Sequence, residues 1–403
     1  MEWKEVRLGD VCNIITGFPF SGKKYSKEGI RVVRGDNVTI GNLRWDTEKD
    51  KRWNEPFDKT EYYSLQANDI VIGMDGSRVG KNKARIKEED LPLLLAQRVA
   101  CVRHNELAEQ DYLYYNIFSK KFIDYVNSIH TGSAIPHISQ KQIGDYMILL
   151  SDLETQRRIA SILSSLDRKI ELNNKINADL EEMAQVIFKN WFVDFEPFKD
   201  GKFVDSELGM IPEGWKVISL SEIMKYNGGS QPPASEFIDT YQEGYIRFIQ
   251  IRDYDNDSHI TYIPISKRNK LCDELDIMIA RYGAALGRIC WGLKGAYNVA
   301  LAKVIPIKSY YREYLRCYLN TSYFYQSINN KGARCAQSGF NQSDINSYMI
   351  AFPIDETVVM NFNDLCSSIM DKRLSLKYEN SRLSLLRDTL LPRLMSGELE
   401  VPE

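Results

Sequence analysis

Between residues 152 and 191 the apolar positions follow one another at alternating spacings of four and three: Ile159, Leu163, Leu166, Ile170, Asn173, Asn177, Leu180, Ala184, Ile187 and Trp191. Eight of those ten are apolar. The stripe is too narrow for an ordinary amphipathic helix and has the spacing of a coiled-coil seam, so it needs a partner helix. About 203 residues later the same register returns as Phe362, Cys366, Ile369, Arg373, Leu376, Asn380, Leu383, Arg387, Leu390 and Leu394. The partner is therefore expected in the same chain. Asn177 and Asn380 fall at equivalent seam positions, where a buried polar pair fixes register at some cost in stability. Ser151 and Glu154 have the spacing of a capping box for the first helix.

The remaining pattern repeats as well. Trp3-Lys4-Glu5-Val6 returns as Trp215-Lys216-Val217, and Gly17 matches Gly229. Ile30–Val33 and Ile246–Ile249 are short β-like runs, each followed by an Asp, at Asp36 and Asp253. Asp69-Ile70-Val71-Ile72, with Gly76 and Gly80, has the same spacing as Asp276-Ile277-Met278-Ile279, with Gly283 and Gly287. Further β-like runs lie at 96–102 and 298–305, aromatic-rich helical stretches at 112–115 and 314–318, and a third matching pair at 143–148 and 345–350. Short apolar runs bounded by turn residues read as strands. The fold class is α/β (α+β): two pseudo-symmetric globules clasped together by two long helices. The expected domains are 1–150, a helix over 151–195, a Pro- and Gly-punctuated linker over 196–212, a second globule over 213–353, a helix over 354–396 and a tail over 397–403. Joining residue 403 to residue 1 would roughly recreate Pro212-Glu213-Gly214-Trp215-Lys216, so the two ends should lie close together.

Composition narrows the function classes. The 403 residues suffice for two cores, and 43% hydrophobic with 27% charged content is that of a soluble globular protein. No run approaches a membrane span, and the opening lacks the basic and apolar regions of a secretory signal, so a cytoplasmic location is expected. Seven cysteines without a CxxC pair read as reduced thiols. A net charge of −3 does not advertise a nucleic-acid binder, but charge acts locally: Arg78, Lys81, Lys83, Arg85 and Lys87 form a run of cations without an acid.

Catalytic chemistry is hard to find. Gly17 to Lys24 approaches a phosphate-cradling loop, yet Lys24 stands where a Ser or Thr should hold magnesium. Gln231-Pro232-Pro233-Ala234 resembles an adenine methyltransferase motif whose amide donor and stacking ring have both been replaced. His130 and His137 lack a third ligand at metal-binding spacing, so no metal site is expected.

The duplication, the seam helices, the Asp-Ile-Val-Ile glycine turn, the stretch Ile211 to Lys216 and the ending Leu394-Met395-Ser396-Gly397-Glu398-Leu399 together resemble the specificity subunit of Type I restriction-modification systems, over the whole chain. That resemblance implies two target-recognition domains, an antiparallel coiled coil acting as spacer and dock, and no catalysis by the chain itself. It also implies double-stranded DNA, two methyltransferase subunits and motor-nuclease subunits as partners. Methyl donor and ATP would then belong to those partners, with no cofactor on this chain. A helix from Ile159 to Trp191 would rise roughly 50 Å, enough to hold two globules about one duplex turn apart, on the order of 35 Å. The halves differ, so the target should be asymmetric. The alternatives are a duplicated DNA-binding scaffold for a methylation-only partner and, less favoured, a self-contained methyltransferase.

DNA reading needs cations for phosphates and amides, guanidiniums or hydroxyls for base edges. Polar loops at matching positions supply the candidates. In the first half they are Ser21, Lys23, Lys24, Arg34, Asn37, Ser77, Arg78, Lys81, Asn82, Lys83, Ser133, His137, Ser139, Gln140 and Lys141. In the second they are Ser230, Gln231, Arg252, Tyr254, Arg281, Tyr282, Arg288, Arg334, Gln337, Ser338, Asn341 and Gln342.

Overall fold

A computed structural model describes residues 3–56, 58–130, 136–332 and 341–401. Two compact units emerge, one from residues 1–170 with 382–403, the other from residues 171–381. Each takes a globule together with part of both long helices, Leu153–Phe192 and Thr357–Met395.

In the first unit Lys4–Arg7 pairs antiparallel with Met147–Leu150. A five-stranded sheet follows the order Cys12–Thr16, Val99–His104, Ile70–Gly73, Lys83–Arg85, Ile40–Gly41. A second sheet sets Ile30–Val33 between Arg52–Trp53 and, in parallel, Leu93–Leu95. The second unit repeats this plan. Trp215–Ser219 pairs with Met349–Pro353, and the sheet order is Met224–Gly228, Leu301–Pro306, Met278–Ala280, Ile289–Cys290. Tyr245–Ile249 lies between Tyr262–Pro264 and, in parallel, Gly295–Tyr297.

The apolar run at the centre of each sheet has a physical reason. Side chains alternate across a strand, and both faces here are covered. Ile70 and Ile72 enter a core with the helix residues Leu113, Ile117 and Phe122, while Val71 enters a separate core with Val33, Leu93 and Leu95. Ile277 and Ile279 against Met278 divide in the same way. Each such burial contributes about 1.5–3 kcal/mol. Asp69 starts its strand by accepting from the Gln66 amide and pairing with Arg103 at 2.6 Å. Asp276 accepts from the Asp273 amide and pairs with Lys303 at 2.6 Å.

Glycine marks the repeat where backbones touch. A Cβ on Gly17 would lie 2.3 Å from the Ala96 carbonyl, and one on Gly229 would lie 2.1 Å from the Asn298 oxygen. Gly80 and Gly287 both have left-handed backbones, with φ of +79° and +82°, and sit against Val126 of the helix Lys120–Ile129 and Ile328 of the helix Ser322–Gly332.

The seam positions are buried or half-buried along both helices, and the pairing within each unit is antiparallel. In the first unit Arg387 meets Asp167 at 2.7 Å, and Ile159 and Leu163 share a core with Leu390 and Leu394. In the second, Arg373 pairs with Glu181. Leu166, Ile170, Leu180, Ile187 and Leu383 are half-buried; Ile369 and Leu376 are buried.

Three expectations need correction. Asn380 does not pair with Asn177: its Oδ1 accepts from Asn173 at 2.9 Å and its Nδ2 donates to Asn174 at 2.8 Å. Antiparallel helices match rising numbers with falling ones, so repeat-equivalent residues are not partners away from the midpoint. The Asn177 Oδ1 is buried without a hydrogen-bond partner. Asp152, not Ser151, caps the first helix, accepting from the Thr155 amide at 2.9 Å. The counterpart of Asp253 is Asn37 rather than Asp36: Asn37 accepts from the Arg34 amide at 3.1 Å and Asp253 from the Gln250 amide at 2.8 Å.

The connection after Phe192 folds onto the second unit. Phe203–Val204 pairs with Ile211–Pro212, and Phe195 and Phe198 pack on Trp215. In the first unit the Trp3 indole lies against Gly397, which brings the opening and closing stretches together as expected.

Candidate nucleic-acid interface

Loops at one end of the first unit's sheets converge on a polar cleft of about 670 Å³. Of the expected residues it is lined by Arg34, Ser77, Arg78 and Asn82; Arg44, Asp75, Gln97 and Arg98 join them, with Phe18, Phe20 and Tyr25 as aromatic walls. The Arg34 guanidinium stands 5.7 Å from the centre of the Tyr25 ring. Burial alone would raise the Asp75 carboxyl, but hydrogen bonds from His137 and Arg98 hold it below its usual range. Arg98 donates to Asp75 at 2.7 Å from a left-handed backbone, φ +69°. His137 joins by hydrogen-bonding the other Asp75 oxygen.

Ser21, Lys23, Lys24, Ser77, Arg78 and Lys81 are exposed. Lys24 is tied to Glu55 at 2.7 Å, whereas Arg78 and Lys81 have no side-chain partner among the described residues.

Other candidates serve the fold. Asn37 is fully buried, its amide donating to the carbonyls of Arg44 and Lys49. Lys83 is only 3% exposed, donates to the Gly80 carbonyl at 3.0 Å and faces the rings of Phe118 and Phe122. Its burial pulls the amine down to about 7. Neither can reach DNA: the strand pleat turns Lys83 inward, and the turn at 35–37 closes over Asn37. Ser139 caps the helix Gln140–Gly144, Gln140 donates to the Ile14 carbonyl at 2.6 Å, and Lys141 pairs with Asp145 at 2.8 Å. Ser133 lies outside the described residues.

In the second unit Ser230 bridges Asn298, whose amide donates to Gln231 at 2.6 Å. Arg281 lies 5.9 Å from the ring centre of Tyr226 and 5.2 Å from that of Tyr282. Arg288 pairs with Asp255 at 2.7 Å, beside the turn that carries the exposed Arg252. Tyr254 is a correction. Its hydroxyl is buried, burial pushes its pKa up, and its ring packs beside Ile249 and Cys272. Asn341 caps the helix that starts at Gln342. Arg334, Gln337 and Ser338 lie outside the described residues.

Sequence reasoning missed Arg44, Asp75, Gln97 and Arg98. Their polar character was visible, but no side chain of the same kind at the equivalent position in the other half marked them.

Residues 1–182 and 212–373 match the family described as Type I restriction modification DNA specificity domain. The chain belongs to that family. It is 24% identical over 482 aligned positions to the Type I restriction enzyme HindI specificity subunit of Haemophilus influenzae, covering 99% of this chain and 100% of that one. It is 29% identical to the MjaIX specificity subunit of Methanocaldococcus jannaschii, covering 73% of this chain and 70% of the relative. A Type I restriction-modification S subunit from M. genitalium has the same fold, with a TM-score of 0.61 at 16% identity over 98% of this chain and 96% of that one. The relatives are specificity subunits, so the chain is the DNA-recognition component of a Type I system and not its catalytic one.

For a specificity-family chain the cleft has fitting chemistry. It combines fixed guanidiniums, amides and ring faces with the exposed Arg78, the groups that read base edges and hold phosphates. Among the described residues no helix is long and apolar enough to cross a membrane, and no three His, Cys, Asp or Glu side chains are grouped to hold a metal.

Proposed function

We propose that the chain selects an asymmetric, bipartite double-stranded DNA target, each unit reading its own half-site. Its paired long helices dock two methyltransferase subunits and, in the full complex, motor-nuclease subunits; methyl donor and ATP are bound by those partners. What supports this reading most is that one frame, fixed by Gly17 and Gly229 and by Asp69 and Asp276, occurs twice and carries different polar side chains at equivalent turns. Equal frames suit two sites on one kind of ligand, and unequal side chains suit two different sequences.

Methylome mapping of cells carrying this chain with its methyltransferase tests the proposal. One gapped target with two unlike half-sites is expected, and replacing residues 213–353 by those of another specificity subunit should change one half-site while leaving the other intact. A contiguous target, or one unaltered by the exchange, would overturn it.

A further inference from the structure

We propose that Arg98 reads a guanine of the first half-site through the major groove, and that Asp75 is the positioning residue that aims it. This rests on the bipartite reading above. The observation behind it is the construction around one guanidinium. Arg98 keeps a left-handed backbone, φ +69°, which side chains other than glycine adopt at a cost, and such conformations gather at functional sites. The conformation is held from both sides: the Arg98 carbonyl accepts from the Met74 amide at 3.0 Å, and the next residue, Val99, enters the sheet against Gly73.

The side chain is 68% exposed at the cleft, yet it is fixed. Asp75, only 19% exposed, takes Nη1 on one oxygen and His137 on the other. The Gly76 amide donates to the Pro136 carbonyl at 3.0 Å and the Ile138 amide to the Met74 carbonyl at 3.0 Å, so the His137 loop is stitched to the Asp75 strand end. Nε and Nη2 of Arg98 retain no partner among the described residues. A planar fork with two donors left over and a carboxylate behind it is the arrangement for the O6 and N7 acceptors of guanine. A phosphate contact would need neither the fixed backbone nor the orienting carboxylate.

The second unit shows what Arg98 replaces. Ala300 holds the equivalent position, its carbonyl accepting from the Arg281 amide at 2.8 Å, and it has no left-handed backbone. There the guanidinium comes from Arg281, beside Tyr226 and Tyr282, with Tyr282 in the place of Asp75. The second unit thus presents its arginine one strand over, from the position that Met74 holds in the first.

The test uses the full chain assembled with its methyltransferase subunits and the duplex defined by methylome mapping. Each first-half guanine is replaced in turn by 7-deazaguanine, which lacks the N7 acceptor, and binding is measured at fixed salt. For the wild type, one replacement should weaken binding roughly 10-fold. Arg98→Gly, which suits the left-handed backbone and should leave the melting temperature at or above that of the wild type, should lose this sensitivity to below about twofold. Arg98→Lys should keep the salt dependence but not the sensitivity, and Asp75→Asn should reduce the sensitivity several-fold at the same guanine. Full sensitivity at every guanine in Arg98→Gly would overturn the proposal, as would an equal weakening on all duplexes with a shallower salt slope. A wild-type complex that does not prefer the mapped duplex over a scrambled one would instead overturn the bipartite reading itself.

Discussion

The two units use one scaffold to opposite effect at their turns. In the first, a carboxylate at Asp75 orients Arg98 from a neighbouring strand; in the second, two tyrosines flank Arg281 on the strand end itself. The scaffold beneath shares its main devices: close-contact glycines, a strand-opening Asp with a cation, and a capped short helix after the polar loops. Divergence falls on the turns and on the edge of the sheet, where the first unit adds Ile40–Gly41 and the second ends at Ile289–Cys290. Specificity can therefore change without the fold being re-solved.

The comparison can be tested by making matched changes. The largest effect is expected at the glycines. Gly17→Ala and Gly229→Ala each drive a Cβ into backbone and should each destabilise their unit by about 3 kcal/mol or more, read as urea midpoints. A large cost at one and none at the other would end the equivalence. Next comes Lys83, opposite Ile72 in the first sheet, where the second has Ile289 opposite Ile279. The folded amine titrates near 7 against an ordinary 10.5, so between those values the unfolded chain binds more protons and stability rises with pH. Lys83→Ile should remove that rise, so that its stabilising effect is larger at pH 7 than at pH 10 by about 3 kcal/mol; identical pH profiles would refute the assignment.

A smaller effect of opposite sign is expected in the seam. Asn380→Leu deprives Asn173 and Asn174 of a partner and should cost about 1–2 kcal/mol, whereas Asn177→Leu removes an unsatisfied oxygen and should gain up to about 1 kcal/mol. Thermal unfolding of both variants would show whether the sign differs. The smallest effect is that of Lys81→Ala, which should lower the salt slope of DNA binding by about one counterion without altering base preference, as read from binding titrations at several salt concentrations.

Much of this was legible in the sequence because repetition converts weak local signals into paired ones. The strands at 70–73 and 278–280, both long helices and the glycine turns all announced themselves twice. Side-chain direction did not. Lys83 looked like one more cation in a basic run, yet the pleat sends it inward between Phe118 and Phe122. Asp75 and Arg98 stand 23 residues apart and meet only because their strand ends are neighbours. The Asn173–Asn380 contact was misassigned because a repeat gives constant differences in number, while antiparallel helices give constant sums.

The second unit is one unbroken stretch, residues 171–381, whereas the first needs residues 382–401 to finish it, with Leu394 and Val401 packing beside Trp3 and Ile159. On a ribosome the first unit is thus begun before the second and completed after it. At about 5–20 residues per second, the opening globule waits on the order of 10–40 seconds for its closing helix, its apolar flank at Tyr112, Tyr115 and Leu163 uncovered meanwhile. The interval when this protein is most exposed to misassociation is set by the rate of translation through its other half.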